Sequence, residues 1–204
     1  MKIAVFIPFH KKLTLYLDAV KDQFKGYDRI ITMEADFKKE SETSIRNQGL
    51  EMLKDYDYVW CVDSDEFLLK EHQAKIVEKL RQNNHGVVFL PVIDYASGDK
   101  AIKRREIHTP IVMCNPKTTK FYDGRCARFD APIYFDYPVH HFGYYYPKNI
   151  LEWKEKNYWN KENPNEFKKY LSGDRIDAII PDEIAVKLEK LYAHGGCVNN
   201  KMSN

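Results

Sequence analysis

The stretch Tyr58-Val59-Trp60-Cys61-Val62-Asp63-Ser64-Asp65-Glu66-Phe67-Leu68 decides the architecture. Five aromatic, β-branched or otherwise apolar residues run together. Three carboxylates follow within four positions, and the chain turns apolar again at once. The first five residues predict a short strand buried on both faces. Outward from it, Ile3–Phe9, Arg29–Met33 and Val87–Ile93 are further apolar runs that predict strands. Between them apolar residues recur at helical spacing. These are Leu13, Leu17, Val20 and Phe24, then Ile45, Gly49, Met52 and Leu53 within Ser41–Leu53, then Ile76, Val77 and Leu80 within Gln73–Leu80. Strand, helix, strand, helix, strand, helix, strand predicts an α/β fold, with a mostly parallel sheet flanked by helices.

The alternation ends near residue 96. Ser97–Pro138 holds short apolar runs, Ile111–Cys114 and Cys126–Phe129, which predict antiparallel strands and loops laid against the sheet. Pro147 predicts the first turn of a helix reaching Trp159, with Ile150, Leu151 and Trp153 apolar. Pro181-Asp182-Glu183 opens a last helix with Ile184, Leu188 and Leu191 as its stripe and Gly195 as its stop. The chain reads as one domain in three segments, residues 1–96, 97–146 and 147–204.

Its 204 residues are 44% apolar and 30% charged, which excludes disordered and low-complexity classes. Lys and Arg number 32 against 30 Asp and Glu, and a net charge of +2 argues against a nucleic-acid binder. Aromatics at 14% suit a sugar or nucleobase site as well as a core. No stretch approaches the roughly 20 apolar residues of a transmembrane segment. Met1–Pro8 is too short for a signal sequence and lacks a small-residue cleavage site. Cys61, Cys114, Cys126 and Cys197 are scattered with no zinc-site spacing, so reduced thiols in a cytoplasmic protein are expected; two disulfides in a secreted protein are the alternative.

In an open parallel sheet ligands bind at the carboxyl ends of the strands, where the acidic cluster falls. On an extended backbone Asp63 and Asp65 would share a face and repel each other unless neutralised. A hard divalent ion, Mg²⁺ or Mn²⁺, neutralises them and bridges to phosphates. The plainer reading is that Asp63 or Ser64 caps a following helix. Phe67-Leu68-Leu69 pins the acids against the core instead.

Ser44-Ile45-Arg46-Asn47-Gln48-Gly49-Leu50, followed by Tyr56–Glu66, resembles the family-2-like glycosyltransferases of GT-A fold. In that family a helix carries an RNxGL-like motif, and a strand ending in DxD follows. The resemblance covers residues 1–95 and returns at His140-His141-Phe142-Gly143-Tyr144. It implies a Rossmann-related sheet and a hexosyltransferase-like enzyme. Such an enzyme moves a sugar from a nucleotide-diphospho-sugar donor to a glycan or other hydroxyl acceptor, with Mn²⁺ or Mg²⁺ as cofactor and residues 97–146 on the acceptor side. By the same resemblance Asp63 lies near the donor's ribose and sugar with Ser64 beside it, and Asp65, with Asp63 next to it, holds the metal. Pro8, Phe9 and His10 hold the nucleobase, and Glu34 or Asp36 contacts base or ribose. Arg46 and Asn47 lie near the diphosphate.

The family's late histidine, on the metal or diphosphate, matches His140 or His141. Strand neighbours face opposite ways, so only one should reach the site, and His140 is favoured. The plainer reading packs them against Tyr144-Tyr145-Tyr146. Lys148, Lys154 and Lys156 form either a basic lid over a diphosphate or a solvated helix face, and Lys103-Arg104-Arg105 has the same two readings. An inverting transfer needs a carboxylate base; Asp123 is the first choice, with Asp94, Asp130 and Asp136 behind it, and turn acids the plainer reading for each. Two other functions stay open: a degenerate glycan-binding module and a metal-dependent nucleotidyltransferase. A sugar-nucleotide pyrophosphorylase would want a Gly-rich loop, which Pro8-Phe9-His10-Lys11-Lys12 lacks. The last helix and the aromatic surface leave room for a homo-oligomer.

Overall fold

The computed structural model describes residues 1–36, 39–83, 85–97, 100–102, 109–157 and 174–194. The chain forms two compact units, Met1–Ile93 with Arg104–His141, and Asp94–Lys103 with Phe142–Asn204.

The first unit is built on a six-stranded sheet in the order Pro132–Tyr134, Val87–Phe89, Ile111–Cys114, Tyr58–Cys61, Ile3–Phe9, Arg29–Glu34. Strands β1 (Ile3–Phe9), β2 (Arg29–Glu34) and β3 (Tyr58–Cys61) are parallel, with β1 between the other two. Residues Ile3–Pro8 of β1 and all of β3 are buried, as continuous apolar runs require of strands covered on both faces. Helices α1 (Leu17–Gln23), α2 (Glu42–Met52) and α3 (Lys70–Gln82) alternate with these strands. Short β4 (Glu66–Phe67) lies between β3 and α3, outside the large sheet.

Two expectations are corrected. Val87–Ile93 is not one strand: it divides into β5 (Val87–Phe89) and β6 (Val92–Ser97). Pro91 lies at the break, where it has no N–H to give to a ladder. Its carbonyl instead accepts from the Val139 N–H at 2.8 Å. Ile111–Cys114 is not laid against the sheet. As β8 it is inserted into it, antiparallel to both β3 and β5. All four of its residues are buried, so neither face tolerates water. Strand β11 (Pro132–Tyr134) closes that edge, parallel to β5. A separate hairpin, β9 (Lys120–Asp123) with β10 (Cys126–Arg128), and β12 (Val139–His141), antiparallel to β4, complete the unit.

Helix α2 explains the RNxGL motif physically. Ser41 caps its start, its hydroxyl accepting from the Ser44 N–H at 3.1 Å. Ile45, Arg46, Gly49 and Leu50 face inward, while Gln48, the variable position, is exposed. A Cβ on Gly49 would stand 2.6 Å from three carbons of the Phe6 ring, so only glycine lets the helix lie this close to β1.

In the second unit Asp94–Ser97 continues β6 and pairs with β7 (Lys100–Ile102), which pairs with β13 (Arg175–Asp177), both antiparallel. Tyr95 stacks on Phe142 at 4.7 Å, and its hydroxyl donates to the Ile179 carbonyl at 3.1 Å. Helix α4 (Lys148–Asn157) starts after Pro147; Trp159 lies outside the described residues, as do Lys103-Arg104-Arg105, Gly195 and Cys197. Lys154 is neither a lid residue nor solvated. It is buried, donates to the Gly143 carbonyl at 2.7 Å and lies over the Tyr146 ring. Lys148 and Lys156 are exposed. The last described helix, Asp182–His194, opens after Pro181 and buries Ile184 and Leu188. No helix among the described residues is long and apolar enough to cross a membrane.

Gly49→Ala tests the close approach. Overpacking a rigid ring in the core is expected to cost about 1–3 kcal/mol, read from urea unfolding midpoints. An unchanged midpoint would mean that α2 does not lie against Phe6.

Candidate active site

The parallel strands β1, β2 and β3 deliver their carboxyl ends to one edge. After β3 the chain does not stay extended. The Glu66 N–H bonds back to the Asp63 carbonyl at 3.2 Å, so Asp63–Glu66 is a tight turn, and strand alternation does not set the directions of Asp63 and Asp65. Buried polar groups fix this turn. The Ser64 hydroxyl donates to the Leu13 carbonyl, the Gln23 amide donates to the Glu66 carbonyl and accepts from the Leu68 N–H, and Gln73 donates to the Leu68 carbonyl. Phe67 and Leu68 are buried, which pins the turn to the core.

Asp63 is held by two arginines. Arg46 Nη2 donates to Oδ1 at 2.7 Å, and Arg125 Nη2 lies 2.7 Å from Oδ2. Arg46 is 1% exposed, and its Nε and Nη2 also donate to Glu42 Oε1 at 2.9 and 2.7 Å. Its Nη1 is buried and makes no hydrogen bond among the described residues. Arg125 Nη2 also reaches Glu66 Oε2 at 2.7 Å, and that same oxygen accepts the Asp63 N–H at 2.8 Å. Burial works against the charge on both guanidiniums, but Asp63, with Glu42 and Glu66, more than restores it. Burial likewise pushes Asp63 up, yet Arg125 and Arg46 hold its carboxyl well below the usual carboxylate range. For Glu66 burial prevails, and its carboxyl is raised despite Arg125.

This geometry revises the expected roles. Arg46, expected near the diphosphate, is buried against Glu42 and Asp63. Asn47 is also occupied. Its Nδ2 donates to the Phe121 carbonyl at 2.9 Å and its Oδ1 accepts the Phe121 N–H at 3.0 Å, so the carboxamide clamps the hairpin to α2 as a neighbouring strand would. Thr43 Oγ1 accepts the Gly124 N–H at 2.9 Å and holds the hairpin tip, where Gly124 takes φ +47°.

Asp63, Asp65 and one of the two histidines were expected to hold the metal together. Among the described residues no three His, Cys, Asp or Glu side chains converge as a protein-built metal site requires. Asp63 is engaged by its arginines. His140 is buried and belongs to the opposite face of β12, where burial and then His72 pull its imidazole down to about 4. His141 is the histidine that faces the turn, its Nε2 standing 3.4 Å from Asp65 Oδ1. The register makes this choice, since His141 lies opposite Glu66 and His140 opposite Phe67. Asp65 and His141, paired at the turn, are the residues that would hold a Mg²⁺ or Mn²⁺ ion there, since carboxylate and imidazole are both competent ligands.

The remaining predicted residues fall in three places. Pro8 is buried within β1, and Phe9 and His10 end it half-buried. His10 Nδ1 accepts the Lys12 N–H at 3.1 Å, and burial lowers its imidazole against the pull of Asp36. Glu34, the exposed last residue of β2, is in register with Phe9, and half-buried Asp36 pairs with Lys39. These lie at the ends of β1 and β2, on the edge that carries the Asp63–Asp65 turn. Asp123 is exposed at the hairpin turn. Asp94 is 1% exposed and lies in the second unit. Arg125, Glu42 and Glu66 were not anticipated as site residues. Glu42 carried a local signal, four residues before Arg46 on one helix face, whereas Arg125 carried none.

An α/β sheet with a carboxylate and guanidinium site at the carboxyl edge of its parallel strands defines a GT-A-like class. The model of glycosyl transferase family 2 matches residues 16–168, well over half of the sequence, and the chain belongs to that family. Three solved structures illustrate the likeness. The structure of S. aureus TarS 1–349 is 10% identical over 99% of this chain and 76% of that one, with a TM-score of 0.46. A protein from STIV is 15% identical over 66% of this chain and 97% of that one, with a TM-score of 0.37. A glycosyltransferase involved in the glycosylation of the major capsid of PBCV-1 is 16% identical over 55% and 60%, with a TM-score of 0.35. No curated protein sequence matches the chain.

His140 makes stability depend on pH. Its folded pKa lies below the ordinary 6.5, so the unfolded chain binds the proton more readily, and stability falls as pH drops from about 6.5 to about 4. That interval corresponds to roughly 3 kcal/mol at its acid end. Urea denaturation of the metal-free chain across this range should show a smaller fall for His140→Asn than for the wild type; equal falls would remove His140 as the cause.

Proposed function

We propose that the chain transfers a sugar, hexose in type, from a nucleotide-diphospho-sugar to a hydroxyl on a glycan or similar acceptor. The observation that carries this reading is the pairing of Asp65 with His141 at 3.4 Å beside the arginine-held Asp63. Among the described residues the carboxylates Glu42, Asp63, Asp65 and Glu66 stand with the guanidiniums Arg46 and Arg125, and both guanidiniums are engaged by carboxylates. A cation beside the turn would offset the charge of a bound diphosphate. Asp65 and His141 are the residues that would hold Mn²⁺ or Mg²⁺. When bound, such an ion supplies positive charge to the departing diphosphate.

In the transfer the acceptor oxygen bonds to the anomeric carbon, the bond from that carbon to the phosphate oxygen breaks, and the nucleoside diphosphate leaves with the electron pair. Asp63, fixed and ionised, is suited to accept hydrogen bonds from donor hydroxyls. Phe9, His10, Glu34 and Asp36, at the neighbouring strand ends, are assigned to base and ribose. Residues 1–96 thus serve as the donor half. Asp123, exposed on the hairpin turn, is assigned as the base that takes the acceptor proton; Asp94, at 1% exposure, is poorly placed to exchange one. A cytoplasmic location belongs to the same reading, supported by the free thiols Cys61, Cys114 and Cys126.

The test is nucleoside-diphosphate release from a panel of UDP- and GDP-sugars with MnCl₂. Asp65→Ala and His141→Ala are expected to lower it by about 10²–10³-fold, with melting temperatures close to wild type. Undiminished release in Asp65→Ala would defeat the metal assignment. Glycan binding with no nucleotide binding by the wild type would favour a binding module instead.

A further inference from the structure

We propose that Arg125 is a positioning residue that orients Asp63 for the nucleotide donor, so that the β9–β10 hairpin is part of the donor site. This rests on the donor reading above. The hairpin is a poor structural element on its own: apart from Phe121 and Ala127, the residues of its two strands are exposed. It is nonetheless held to α2 at two points by polar clamps, Asn47 on Phe121 and Thr43 on Gly124. Together they deliver one side chain, Arg125, 11% exposed, onto Asp63 Oδ2.

A carboxylate has about four acceptor positions, two on each oxygen. Arg46 takes one on Oδ1 and Arg125 is placed for one on Oδ2, which leaves one on each oxygen, and the Asp63 side chain is still 35% exposed. The group is therefore held on both oxygens while it keeps acceptor capacity toward solvent, as hydroxyl recognition requires. Glu66 completes the hold by taking the Asp63 N–H and Arg125 on one oxygen, so backbone and side chain of Asp63 are fixed through the same pair. One nitrogen, Nη2, meets both Asp63 and Glu66, and lysine, with a shorter side chain, brings its ammonium short of that point.

The experiment is calorimetric titration of UDP and of GDP, each with MnCl₂, into the full chain. For whichever diphosphate the wild type binds, Arg125→Gln is expected to weaken Kd about tenfold and Arg125→Lys about threefold, while Met52→Ala, exposed at the end of α2, leaves it unchanged. In an Asp63→Asn background Arg125→Gln should add less than twofold, because the residue acts through Asp63. A general loosening of the hairpin would instead multiply the two losses. Wild-type affinity in Arg125→Gln, or multiplying losses, overturns the proposal and leaves the donor reading standing. If Arg125→Gln does not fold, Arg125→Lys decides, wild-type affinity again overturning the role. A wild type that binds neither diphosphate removes the donor reading and this inference together.

Discussion

The carboxylate of Asp63, gripped by one arginine on each oxygen, is the constraint on which the site depends. The alternation Glu42, Arg46, Asp63, Arg125, Glu66 runs from α2 through the turn after β3 to the hairpin and back to β4. Each ion in it is tolerable only because its neighbours are present. Removing an ion from water costs several kcal/mol, and a buried pair recovers that only with good geometry and further hydrogen bonds. Such a chain adds little net stability compared with an apolar core. It does fix a conformation, because losing Arg46 or Arg125, both buried, would leave carboxylates facing one another without their countercharge. The turn is thereby fixed in electrostatic terms as well as by packing.

The helix motif that first drew attention is legible because it is local. Arg46, Asn47, Gly49 and Leu50 lie within two turns of α2, and each has a separate contact: Asp63, the Phe121 backbone, the Phe6 ring and the core. The resemblance placed Arg46 and Asn47 near a diphosphate. In the structure Arg46, at 1% exposure, is taken up by Glu42 and Asp63, and half-buried Asn47 by the Phe121 backbone. Arg125 lay beyond reach for the opposite reason. It contacts Glu66 across 59 positions of sequence, from the turn of a hairpin, and no local spacing announces that pairing.

Strands whose burial matched their pattern were read well, and the first three fall within one residue of expectation. Topology was harder. The apolar run Ile111–Cys114 did announce a strand without a wet face, yet nothing local says that it enters between β3 and β5 rather than packing on them. The choice between His140 and His141 is of the same kind. A strand alternates faces with period two, so a shift of one residue in the β12–β4 pairing would exchange their environments. Register, set by the whole unit, puts His141 near Asp65 and His140 in the interior.

One electrostatic consequence joins these observations. Had Arg46 faced outward, the site would have carried its own countercharge for a diphosphate. With both arginines committed to carboxylates, that countercharge must come from elsewhere. Lys11 and Lys12 near the end of β1 are exposed, and charges in water are screened by salt. A cation bound close to the phosphates acts at short range in a less polar setting, where the same charge does far more. Under the proposed reaction Asp65 and His141 are the residues that would hold such a cation, and the RNxGL helix and the DxD turn meet through the ion pair of Arg46 with Asp63.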